Sequence, residues 1–113
     1  MKITVSRFMV SLITAGMICF PSFAEEIFKS SDFLKWKRSS QDFYIRTSIG
    51  MAGLILARNN KSQSQCLENW YFANEKNKND FILSTMRQYP TYHPRGVILA
   101  VIEKQCGRIA STK

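Results

Sequence analysis

The stretch 89–107 reads YPTYHPRGVILAVIEKQCG, and its two halves obey different rules. From Tyr89 to Arg95, rings, prolines and polar groups alternate, and Pro90 and Pro94 lie too close together for one helix to run through both. From Pro94 the pattern turns helical. Pro94 suits a first helical turn, where its missing N–H is not needed. Val97, Ile98, Val101 and Ile102 then form one apolar stripe at helical spacing. Gly107 is placed to cap the C-terminus directly after Cys106. The reading is a stiff, tyrosine-rich loop that feeds a buried helix, which a cysteine can pin to the rest of the fold.

Outward from this stretch, the N-terminal residues read as an export leader. Lys2 and Arg7 form its positive head, and 8–20 is apolar apart from Ser11, Thr14 and Gly16, too short for a comfortable membrane span. Pro21 and then Ser22-Phe23-Ala24 supply a helix break and small residues at the two positions a signal peptidase reads. Cleavage is expected after Ala24, giving a leader of 1–24, a single domain of 25–113 and no stable membrane insertion of the product. The bulky Ile18 before Cys19 is a poor match to a lipoprotein site.

Cleavage would leave 89 of the 113 residues, enough for one small domain that buries only roughly 60–65% of its unfolded surface. It would also remove Cys19. Cys66 and Cys106 remain, and an even pair in an exported chain reads as one disulfide. Closing a 40-residue loop is worth about 4 kcal/mol in the loop-entropy picture. The product keeps 14 of the 16 Lys and Arg against 8 Asp and Glu, a net charge of +6. Such a charge suits an acidic protein, a cell-wall polymer or a membrane surface. The positives are scattered singly apart from Lys35-Trp36-Lys37-Arg38, and an export signal argues against a nucleic-acid partner.

In chain order, Ser30-Ser31-Asp32 offers cap residues for a first helix carrying Phe33, Leu34 and Trp36. Ser39-Ser40-Gln41-Asp42 reads either as a break or as the polar face of one long helix. The segment 43–58, FYIRTSIGMAGLILAR, leaves little polar face and reads as the central helix, with Gly50 and Gly53 admitting a close neighbour. Asn59-Asn60-Lys61-Ser62 reads as a polar loop, after which Ser62 or Ser64 caps a third helix bearing Cys66, Leu67, Trp70 and Tyr71. Cys66 and Trp70, four apart, share a face of that helix, so the disulfide and the indole are expected to pack together. The run 73–79, ANEKNKN, reads as a connection, with Asn79 or Asp80 capping a fourth helix whose apolar positions are Phe81, Ile82, Met86 and Tyr89. The segment 109–113 reads as a tail. No run alternates with period two, and no Asn-Gly-type hairpin pair occurs. The expected fold is all-α: one small four- or five-helix bundle with one disulfide.

Little points to catalysis. His93 is the only histidine, and with Cys66 and Cys106 oxidised there is no thiolate for a Cys–His pair. One histidine and scattered acids give no metal-ligand spacing, and no cofactor is implied. Asp42, Glu68, Asp80 and Glu103 could meet in space, but nothing in the sequence pairs any two. Gly50-Met51-Ala52-Gly53 lacks the Lys-Ser/Thr of a phosphate loop. His93 reads as a solvated loop residue, as an N-cap before Pro94 or as an interface contact. Tyr89 and Tyr92 read first as packing residues, yet tyrosines on a proline-stiffened loop lose little entropy on binding and make good anchors.

Taken together, the Phe33-Leu34-x-Trp36 helix, the segment Cys66-Leu67-Glu68-Asn69-Trp70, the loop Tyr89-Pro90-x-Tyr92-x-Pro94 and the closing Lys104-Gln105-Cys106-Gly107 resemble one family. They are similar to the immunity proteins of type VI secretion amidase effectors, the Tai and Rap group of Gram-negative bacteria, over roughly 32–107. The resemblance implies a periplasmic, non-enzymatic protein that occludes the active-site cleft of a secreted peptidoglycan amidase and so protects the producing cell and its kin. It also implies a homodimer and a disulfide matching Cys66 and Cys106. Two loops compete for the inhibitory role. One holds Tyr89, Tyr92, His93 and Arg95; the other, 59–64, holds Asn60 and Lys61. The first is preferred on rigidity. The rival class is a small periplasmic acid-stress chaperone with a single disulfide, which would draw on titrating carboxylates and histidines that this chain has in short supply.

Overall fold

A computed structural model of the protein describes residues 27–109; the expected leader and the residues after Ile109 lie outside them. Five helices follow one another and no strand occurs among the described residues: α1 (Ser30–Phe33), α2 (Arg38–Asn59), α3 (Lys61–Ala73), α4 (Glu75–Gln88) and α5 (Pro94–Cys106). The expected all-α bundle is the observed architecture. Cys66 on α3 and Cys106 at the end of α5 form the expected disulfide, with Cα atoms 5.8 Å apart.

Helix boundaries follow from which residue can cap. Two asparagines do this with nearly the same backbone: Asn60 at φ −151°, ψ 91° and Asn74 at φ −153°, ψ 77°. Each ends one helix and accepts, through its side chain, an N–H of the next: that of Gln63 at 3.1 Å and that of Asn77 at 3.3 Å. The stretches 59–64 and 73–79 are therefore first turns of helices joined by single residues, and the expected polar loops do not exist. Neither Ser62 nor Ser64 caps α3, and neither Asn79 nor Asp80 caps α4. Ser64 is instead buried and donates from Oγ to the Gly53 carbonyl at 2.9 Å.

The first helix is shorter than its stripe suggested. Lys29 is its N-cap, Asp32 accepts the Lys29 N–H at 3.2 Å, and the helix stops at Phe33. Residues 34–37 make the turn, so Ser39–Asp42 is no break: it is the start of α2. Gln41, in that first turn, is buried and donates to the Phe33 carbonyl at 3.1 Å, which ties the turn shut.

The core runs down one side of every helix. It takes Phe33 from α1, Ile45, Ile49 and Leu56 from α2, Leu67 and Tyr71 from α3, Ile82, Leu83 and Met86 from α4, and Val97, Ile98, Val101 and Ile102 from α5. The expected α5 stripe is thus buried whole. Helix α5 packs on α2, α3 and α4, and α2 packs most extensively on α3. Helix α2 is not wrapped on all sides, as its composition suggested. Only the stripe of Gln41, Ile45, Ile49, Gly53 and Leu56 is buried, while Phe43, Met51, Leu54 and Ile55 face outward. Of its two glycines, Gly53 lies against α3, whose Ser64 hydroxyl bonds its carbonyl, and Gly50 does not. A Cβ on Gly53 would meet Glu68 Oε2 at 3.8 Å, an ordinary contact, and one on Gly50 would meet nothing within 4 Å. In a helix interior each glycine costs about 1 kcal/mol relative to alanine.

Candidate functional site

The loop after α4 is held from two directions. Tyr89 closes α4, its N–H donating to the Thr85 and Met86 carbonyls at 3.1 Å, and the Tyr92 N–H turns back to the Tyr89 carbonyl at 3.2 Å. From the other side, α1 clasps the loop backbone. The Ser30 N–H and Ser30 Oγ both donate to the Tyr92 carbonyl at 2.8 Å, and the Ser31 N–H donates to the Pro90 carbonyl at 2.9 Å. Ser30 is fully buried, whereas Ser31 is partly exposed and Pro90 and Tyr92 are exposed.

Fixing the backbone in this way leaves the rings outside. Tyr89 is 48% and Tyr92 59% exposed, and the two stand edge to face at 5.6 Å between centroids. His93 is the N-cap of α5: its Nδ1 accepts the Arg95 N–H at 3.1 Å, and its ring stands against Phe28 at 5.6 Å. Of the three readings open for His93, the cap is the one observed. Phe28, Trp36, Phe33 and Tyr44 continue the aromatic packing behind the loop, with centroids 4.9–6.2 Å apart. Arg95 is exposed in the first turn of α5.

Beside the tyrosines a groove of about 530 Å³ runs between α4 and α5. Phe81, Ser84, Thr85 and Gln88 line it from α4, and Gly96, Val97, Ala100, Val101, Lys104 and Gln105 from α5, with Tyr89 and Tyr92 at the loop end. Gly96 leaves the floor open, since a Cβ there would touch nothing within 4 Å. The lining holds one cation, Lys104, and no acid.

Asn60 and Lys61, the alternative recognition residues, are not near this loop. They begin α3, where Gln63 Nε2 donates to the Gly107 and Arg108 carbonyls at 2.7 and 3.2 Å, so they sit at the C-terminal end of α5. The tyrosines sit at its N-terminal end, about 20 Å away along 13 residues. Asn60 is engaged as a cap, and Lys61 is exposed.

Two acids that the sequence left unpaired do meet. Arg38 reaches Asp42 and Asp80 at 2.7 Å each, and Lys76 lies 3.9 Å from Asp80. Behind them Asn79, 2% exposed, donates to Asp42 at 3.1 Å and accepts the Tyr71 hydroxyl at 2.6 Å. The Arg38 hydrogen bond holds the Asp80 carboxyl below its ordinary value, and bonds to Asp42 and Asp80 raise the guanidinium further. Arg38 thus matches two carboxylates at once and ties α2 to α4. A cavity of about 430 Å³ opens on it, bordered also by the Arg46–Glu75 ion pair at 2.7 Å. Lys78 Nζ stands 5.4 Å from the Trp70 ring centroid. Among the described residues, no group of three or more His, Cys, Asp or Glu could hold a metal, and no helix is long and apolar enough to cross a membrane.

Fold and site together define a small disulfide-stapled helical domain that carries a clasped tyrosine loop beside an apolar groove. No protein-family model, no curated protein and no solved structure matches this chain.

Proposed function

We propose that this protein is a periplasmic immunity protein, a non-enzymatic inhibitor that binds a type VI-secreted peptidoglycan amidase through the face bearing Tyr89 and Tyr92 and occludes its active-site cleft. Binding would protect the producing cell and its kin. The observation that carries this reading is the clasped loop. Two large rings are half exposed while their backbone is pinned by three donors from α1, so ordering costs little on association. The adjoining groove adds apolar area, Lys104 in its lining adds positive charge, and Arg95 is exposed in the first turn of α5, for an acidic rim on the partner. His93 and Pro94 position this face rather than form it.

The acid-chaperone alternative draws no support from the core. The buried polar residues are Ser30, Gln41, Gln63, Ser64 and Asn79, none of which ionises, so acid creates no charge among them.

The test is titration of the exported protein into a panel of type VI amidase effectors, with hydrolysis of purified peptidoglycan as readout. Stoichiometric silencing of one amidase is expected. Tyr92→Ala should then weaken binding by about 2 kcal/mol, roughly 30-fold, at unchanged thermal stability. If no amidase binds, the immunity reading is lost.

A further inference from the structure

We propose that the outer face of α2 is a membrane-surface site, which lies in the plane of a bilayer bearing anionic headgroups and does not cross it. This inference does not depend on the identity of any effector. It starts from an apolar excess. At about 100° per residue, Ser40, Phe43, Thr47, Met51, Leu54 and Arg58 fall on one face, opposite the buried stripe, with Ile55 at its edge. Phe43, Met51, Leu54 and Ile55 are 53–68% exposed. They present on the order of 500 Å², the size at which an apolar patch marks a protein or membrane contact.

The charge around the stripe selects the membrane. Lys35 and Lys37 stand exposed ahead of α2, and Arg58 and Lys61 stand exposed beyond the stripe. None of the four makes an ion pair among the described residues. The neighbouring acids lie elsewhere. Asp42, the one acid in α2, is held by Arg38; Glu75 is held by Arg46; and Glu68 lies beside Gly53 in the buried stripe. Long cationic stems at both ends can reach headgroups while the apolar centre enters the acyl boundary, which is the pattern of an in-plane helix. Trp36, exposed and edge to face with Tyr44 at 5.9 Å, adds an amphipathic ring at the N-terminal margin. Thr47, in mid-stripe, donates its hydroxyl to the Phe43 and Tyr44 carbonyls at 2.9 and 3.1 Å. It therefore enters an apolar layer with its donor already paired. Neither cavity described above opens on this face, which is a ridge and not a socket for a partner's anchoring side chain. The opposite side of α2 is held in the core, so the helix lies along the surface over about 33 Å of its 22 residues.

The test is co-sedimentation of the protein purified after export of the full chain with vesicles of phosphatidylcholine, alone or mixed with about one third phosphatidylglycerol. Wild type is expected to pellet with the anionic vesicles, to release them as salt is raised, and to bind the neutral ones far more weakly. Each cation near an anionic surface is worth about fivefold, so Arg58→Gln with Lys61→Gln should weaken anionic binding roughly 25-fold. Leu54→Glu should abolish sedimentation while far-ultraviolet circular dichroism stays unchanged. Met51→Gln is the milder variant that keeps the test open should Leu54→Glu misfold, and it should weaken binding several-fold. Wild type that stays in the supernatant with both kinds of vesicle overturns the proposal. So does binding indifferent to Leu54→Glu and Met51→Gln, or equal binding to neutral and anionic vesicles. A dimer that ignores vesicles and that Leu54→Glu dissociates gives the face to a second copy, and overturns the proposal as well.

Discussion

The two ends of α5 are fastened in opposite ways. Its C-terminal end is held covalently, by Cys106 to α3, with Gly107 at φ 98° and its carbonyl accepting from Gln63. Its N-terminal end is held only by hydrogen bonds and rings: Ser30 and Ser31 on the loop backbone, and Phe28 on His93. The difference teaches where rigidity is absolute and where it is conditional. The clasped end carries the exposed rings of Tyr89 and Tyr92. The loop at the conditional end depends on the rest of the domain being folded, and on α1 in particular.

The sharpest way to break this contrast is to remove the covalent member. Cys106→Ser with Cys66→Ser should cost about 4 kcal/mol, read as a shift in the urea midpoint. The loop tyrosines should keep their near-ultraviolet signal in the folded fraction. Loss of that signal before global unfolding would show that the staple also orders the loop.

Tyr71 provides a control that should weaken both ends alike. Burial first, and then the nearby Glu75 carboxylate, push its phenol up from 10.0 to about 12. The unfolded chain ionises first, so this contribution is complete below pH 10 and is lost as pH climbs to about 12. Its full size is up to about 3 kcal/mol. Denaturant titrations at pH 9 and pH 11.5 should show the loss, and Tyr71→Phe should flatten it.

Ser30→Ala removes the hydroxyl that shares the Tyr92 carbonyl and should cost roughly 1–2 kcal/mol. Its signature is local: hydrogen exchange at Tyr92 and Ser31 accelerates while amides of α3 do not. At the far end, Gln63→Ala should cost about 1 kcal/mol and speed exchange only around Gly107. Equal spreading of either effect to both ends would dissolve the distinction.

Much of this arrangement was legible one residue at a time. Pro94, Gly107 and the 97/98/101/102 stripe each signal locally, and α5 came out with those bounds. Cys66 and Cys106 left no other pairing once Cys19 was assigned to the leader. Polar runs misled, because a run such as ANEKNKN can be a loop or the wet face of a first turn. The deciding feature is the backbone of a single asparagine, Asn74, which composition does not encode. Apolar runs misled in the opposite sense. Residues 43–58 read as buried all round, yet one domain of this size supplies α2 with partners on one side only. At the site, Tyr89 and Tyr92 were found by ring type and proline context. Ser30 was not, since its partner lies 62 residues away and no local pattern marks such a contact.

The clasp also sets an order of events. Helices α2, α3 and α4 are neighbours in sequence joined by single asparagines, and α2 packs chiefly on α3, so their contacts close quickly over short chain lengths. The contact from Ser30 to Tyr92 spans most of the domain and closes late. Ser30 is among the first described residues to leave a ribosome, and Tyr92 among the last. The loop therefore takes its shape only when the chain has been delivered nearly in full, so a partly emerged chain holds its helices before it holds Tyr89 and Tyr92 in place.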